Sequence, residues 1–79
     1  MKKVELYTQP DCPPCQIIKE FFKHYEISYV EYNIKQDGAA SKRLLHDYNS
    51  YSTPTVVVDG EAVTGFNIER LQNLLGIEV

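Results

Sequence analysis

A chain of 79 residues, 43% apolar and 24% charged, is expected to form one small globular domain, 1–79, with no room for a second core. A net charge of −3 argues against nucleic acid as the main partner, because a phosphate backbone selects a basic face. The longest apolar runs, such as Val56-Val57-Val58, fall far short of the ~20 residues that span a bilayer. Met1-Lys2-Lys3-Val4-Glu5 does not read as a signal peptide, so the cytoplasm is the expected location.

Residues 3–8 read as a strand, followed by a breaker-rich stretch, Gln9-Pro10-Asp11. From Cys15 the pattern turns helical, with Ile18, Phe22 and Tyr25 as one apolar stripe and Ile17 and Phe21 widening it. Residues 28–34 are rich in strand formers. Asp37 is placed to cap a second helix over roughly 39–48, burying Leu44, Leu45 and Tyr48. A polar loop then leads to Pro54. Thr55–Val58 is the most strand-like run, and Asp59-Gly60 is a strong hairpin signal returning the chain as Glu61–Thr64. Asn67 caps a last helix, with Ile68, Leu71, Leu74 and Leu75 inward and Gly76 as its stop. The order is β-α-β-α-β-β-α, an α/β arrangement. Its first β-α-β unit implies a parallel pair and its hairpin an antiparallel one. Glu5 is the awkward residue of the first strand, since a charge inside a sheet is costly without a Lys or Tyr partner.

The two cysteines stand three positions apart, in Cys12-Pro13-Pro14-Cys15. A bridge between them closes almost no loop, so it is a poor structural staple. In a reducing compartment such a pair points to redox catalysis or metal binding. It lies where a strand hands over to a helix, and free N–H groups at a helix N-terminus stabilise a thiolate. Cys12, at the mouth of the helix, should be exposed and attack a target disulfide. Cys15, in the first turn, should be more covered and resolve the mixed disulfide. The prolines have no N–H, which leaves that of Cys15 to face the Cys12 sulfur. The helix is expected to begin at Pro13 or Pro14, with Pro14 favoured because a proline disfavours helical geometry in the residue before it. With Asp11 alongside, the depression of the Cys12 pKa is expected to be moderate.

The strand, C-P-P-C, helix, strand and helix, followed by Thr53-Pro54 before a hairpin and a final helix, resemble the thioredoxin fold. The length is similar to glutaredoxins and to the NrdH-type redoxins. The resemblance covers essentially the whole chain and implies a four-stranded mixed sheet flanked by three helices. It implies a dithiol–disulfide oxidoreductase with Cys12 as nucleophile and Cys15 as resolving cysteine. It also implies that Pro54 is cis and faces the cysteines, that the Thr53 backbone pairs with an extended substrate segment, and that Gly65 lies beside the same groove. No bound cofactor is implied, since the redox-active group is the Cys12–Cys15 disulfide; NADPH enters indirectly through a reductase.

Two positions depart from the glutaredoxin pattern for glutathione. Gln9 stands where a Lys usually binds a glutathione carboxylate, and Thr64-Gly65-Phe66-Asn67-Ile68 lacks the acid that meets its amino group. Charge-assisted hydrogen bonds are the stronger kind, so glutathione binding should be weakened. Gly65-Phe66 is similar to the NrdH-type pattern, whose members typically serve ribonucleotide reductase. The expected partners are therefore protein disulfides, with a thioredoxin reductase favoured over glutathione as donor and a glutathione-dependent glutaredoxin as the alternative. Tyr7 and Pro13 are expected beside the groove, and Phe66 is read equally as core or as groove wall. His24 and His46, the two histidines, read as solvated helix residues. A zinc or iron–sulfur module is the alternative from another class; the far-off His24 and the stiffening prolines weigh against it. Nothing in the sequence demands more than a monomer.

Overall fold

A computed structural model describes residues 3–50, 53–65 and 67–76. Among them, the chain forms β1 (Val4–Thr8), α1 (Pro13–His24), β2 (Val30–Asn33), α2 (Gly38–Tyr48), β3 (Thr55–Val58), β4 (Glu61–Thr64) and α3 (Ile68–Leu75). The sheet order is β2-β1-β3-β4. β1 runs parallel to β2 and antiparallel to β3, and β3 pairs antiparallel with β4. This is the mixed sheet with three helices that the thioredoxin-fold resemblance implies.

Side-chain alternation on β1 splits the core into two layers. Val4 and Leu6 join Ile18 and Phe22 of α1, Val56, Val58 and Val63 of the hairpin, and Leu71 of α3. Tyr7 joins Val57 and, from α2, Ala40 and Leu44. All five β1 residues are buried, as a central strand covered on both faces requires. The second layer is more polar. Glu5 is buried there, within electrostatic reach of Tyr7, Tyr48 and Arg43.

Local signals account for most element ends. Asp59 and Gly60 both take positive φ, the geometry of a two-residue hairpin turn that follows strand twist. The Asp37 carboxylate accepts from the Ala40 N–H at 3.1 Å, and the Asn67 side chain accepts from the Arg70 N–H at 3.0 Å. Gly76 closes α3 in the left-handed region.

Three expectations about burial are corrected. Ile17 is 49% exposed and Leu45 37%, although both were assigned to inward stripes. The inward rows step by four instead, through Ile18 and Phe22 on α1 and through Ala40 and Leu44 on α2, which turns Ile17 and Leu45 aside. Tyr25 is 36% exposed because it is the C-cap of α1, where the chain leaves the helix.

Candidate active site

Cys12 is the N-cap of α1, with extended backbone, and Pro13 and Pro14 are the first two helical residues. The helix therefore begins at Pro13 rather than Pro14. A helix leaves its first N–H groups unbonded, so two prolines there lose nothing, and this outweighs the bias against helical geometry before a proline. Cys15 is the third helical residue. Its N–H donates to the Cys12 Sγ at 3.3 Å and to the Cys12 carbonyl at 3.1 Å. The sulfur thus occupies the place of a capping oxygen.

Cys12 and Cys15 form a disulfide with Cα atoms 5.3 Å apart. Cys12 is 8% exposed and Cys15 1%. The expected order of exposure is present, but Cys12 is more enclosed than a residue at the mouth of a helix was expected to be. The Thr53 hydroxyl donates to the Cys12 sulfur at 3.6 Å. The Thr53–Pro54 peptide bond is cis. The Gly65 N–H donates to the Pro54 carbonyl at 3.0 Å, which ties the end of β4 to this loop. Two segments remote in sequence therefore meet at one sulfur.

A glutaredoxin family model matches residues 4–63. The chain belongs to the glutaredoxin family. Membership, together with the C-x-x-C pair, makes it a thiol–disulfide oxidoreductase. It is 26% identical over 91% of its length to a glutaredoxin-like 8.6 kDa protein of a rubredoxin operon in Clostridium pasteurianum, 96% of which is covered. It is 65% identical to the thioredoxin-like protein BC3987, covering 91% of this chain and 99% of that one, with a TM-score of 0.89. NrdH-redoxin from Escherichia coli, described as glutaredoxin-like with a thioredoxin-like activity profile, shares the fold. Its TM-score is 0.80 at 19% identity, over 91% of this chain and 93% of that one.

Within this glutaredoxin-family site, Cys12 is bonded to Cys15 and meets the Thr53 hydroxyl, and Gly65 is hydrogen-bonded to Pro54, the residue after Thr53. Pro13 is exposed and lines an open hollow beside Cys12, with Asp11, Gln16 and Ile17. Phe66 lies outside the described residues. Tyr7 is corrected: its side chain is wholly buried and faces α2 rather than the groove. Its hydroxyl accepts from Arg43 Nε at 2.8 Å, and the Arg43 guanidinium lies over the Tyr32 ring at 4.7 Å. Burial raises the Tyr7 phenol pKa, the Arg43 hydrogen bond and charge pull it part-way back, and Glu5 adds to the rise. The Tyr7 side chain thus belongs to the layer between the sheet and α2.

Two polar features escaped the sequence reading. One is the Thr53 hydroxyl, since the resemblance gives a role to the Thr53 backbone alone. The other lies at the end of β1, where the buried Thr8 hydroxyl donates to Glu31 at 2.8 Å and Lys19 pairs with the same carboxylate at 2.8 Å. Burial alone would raise the Glu31 pKa, but the hydrogen bonds from Lys19 and Thr8 and the ammonium charge outweigh it and hold the carboxyl below its ordinary range. A β-branched polar residue ending a central strand was the available signal for Thr8. Among the described residues, no three His, Cys, Asp or Glu side chains converge to hold a metal ion.

Proposed function

We propose that this protein reduces disulfides of client proteins in the cytoplasm, and that a thioredoxin reductase rather than glutathione restores it. The observation that carries the reading is the gathering of hydrogen-bond donors on one sulfur. The Cys15 N–H and the Thr53 hydroxyl both aim at Cys12 Sγ, where they would stabilise a thiolate once the disulfide is reduced. The Cys12 thiolate attacks a client disulfide, forming a mixed disulfide and expelling one client sulfur as thiolate. Cys15, deprotonated, then attacks Cys12 Sγ; the Cys12–Cys15 disulfide forms and the second client sulfur leaves. Two electrons pass to the client, which takes up two protons. A reductase returns two electrons from NADPH, with no cofactor bound to this chain. Thr53, Pro54, Gly65 and Phe66 are assigned to holding an extended client segment against Cys12. Gln9, and Asn67-Ile68 without an acid, support the choice of donor, because two charged contacts to glutathione are missing.

The test is insulin reduction coupled either to NADPH and thioredoxin reductase or to glutathione and glutathione reductase. Turnover with the first system is expected. Turnover confined to the second would overturn the assignment of donor.

A further inference from the structure

Thr53 and Pro54 account for one side of Cys12. The other side is the hollow lined by Asp11, Cys12, Pro13, Gln16 and Ile17. Pro13 and Ile17 are four apart on α1 and so stack on one helix face. Both are exposed, and the core is built on Ile18 instead. They form an apolar lip beside the nucleophile. Asp11 lines the same hollow; its φ of 56° is left-handed, a conformation that aspartate tolerates better than most residues. It is exposed, and among the described residues no ion pair reaches its carboxylate. Gln16 adds an amide able both to donate and to accept.

A mixed disulfide fixes the client cysteine at Cys12 Sγ. An extended chain advances about 3.3 Å per residue, so the residues next to that cysteine fall over the hollow. We propose that the hollow is a client-recognition subsite that takes an apolar side chain against Pro13 and Ile17 and a basic side chain at Asp11, so that clients presenting a cysteine between a basic and an apolar residue are preferred. This deepens the redox reading and rests on it. Charge complementarity selects the basic residue, since a lone carboxylate beside an apolar lip repels acidic neighbours of the client cysteine.

The experiment uses the reduced full chain and disulfide-linked peptide homodimers that differ beside the cysteine, Lys against Glu in one pair and Leu against Ser in the other. The second-order rate of peptide thiol release is read as a ratio within each pair. Both peptides of a pair meet the same Cys12, so any change that a variant makes in Cys12 reactivity cancels, and comparing variants with the wild type removes the peptides' own difference in leaving thiol. The expected preference is about three- to fivefold for Lys over Glu, the size of an exposed ion pair, and about fivefold for Leu over Ser, from partial apolar burial. Asp11→Asn should bring the Lys/Glu ratio close to that of an uncharged lip, and Asp11→Lys should invert it. Glu20→Gln, which removes an acid elsewhere on α1, should leave it in place. Ile17→Ser should collapse the Leu/Ser ratio and retain the Lys/Glu ratio. Wild-type ratios near one, or ratios that Asp11→Asn and Ile17→Ser leave unchanged, would overturn the subsite while thiol release itself upholds the redox reading. Release of neither peptide by the wild type would overturn both.

Discussion

Cys12 and Cys15 share one helical turn and one disulfide, yet their surroundings differ in kind. Cys12 caps the helix, receives hydrogen bonds from the Cys15 N–H and the Thr53 hydroxyl, and borders an open hollow. Cys15 sits inside the first turn, 1% exposed, in line with the buried face of α1. Negative charge is stabilised where donors converge and solvent or client can reach, which describes Cys12 and not Cys15. The asymmetry comes from position in the helix rather than from residue type, and the proposed order of attack rests on it.

The largest test of that asymmetry is Cys12→Ser, which should abolish insulin reduction, because a serine hydroxyl is not a thiolate at neutral pH. Cys15→Ser should leave the first attack intact and block the second. A stable mixed disulfide with insulin or a peptide, seen as an added mass on the protein, is the expected product, and attack without such an adduct would reverse the two roles. Thr53→Val acts on one donor only. Losing this long contact to sulfur, taken at the ordinary hydrogen-bond value of about 0.5–1.5 kcal/mol, should move the thiolate titration of Cys12 upward by about half to one pH unit, read by ultraviolet absorbance. No movement would mean that the helix N-terminus alone sets the difference between the sulfurs.

The smallest effect lies on the scaffold that both cysteines share. The folded Glu31 carboxyl is held below its ordinary range, so it contributes stability above that range, and the contribution is lost as pH falls through the folded value. The carboxylate is 35% exposed and its ion pair is screened accordingly. Glu31→Gln should therefore lose about 0.5 kcal/mol less than the wild type between pH 7 and about pH 3, measured by urea unfolding at the two values. A larger difference would mean that Glu31 governs the end of β1, and with it the placing of the active-site loop.

The parts of the molecule legible in the sequence are those with local causes. Thr55–Val58, Asp59-Gly60 and Glu61–Thr64 form the expected strands and turn, because a β-branched run and a two-residue turn leave few alternatives. The Asp37 and Asn67 caps follow from short-range hydrogen bonding. Contacts that needed the tertiary fold were not legible. The Thr53 hydroxyl reaches Cys12 across 41 positions, and Tyr7 meets Arg43 across 36. Tyr7 looked close to the motif because it precedes it, but strand alternation turns it toward α2 while Thr8 points the other way, toward Glu31. In the sequence Ile17 widens an apolar stripe and so reads as core. Its spacing from Pro13 was the clue that it belongs to the active-site face.

The asymmetry itself can be read with one labelling measurement. The reduced protein is treated briefly at neutral pH with less than one equivalent of iodoacetamide, and the modified sulfur is located by tandem mass spectrometry. Alkylation at Cys12 well ahead of Cys15 is the predicted result, since the thiolate is the species that reacts. Alkylation first at Cys15, or equally at both, would contradict the assignment of Cys12 as the attacking sulfur.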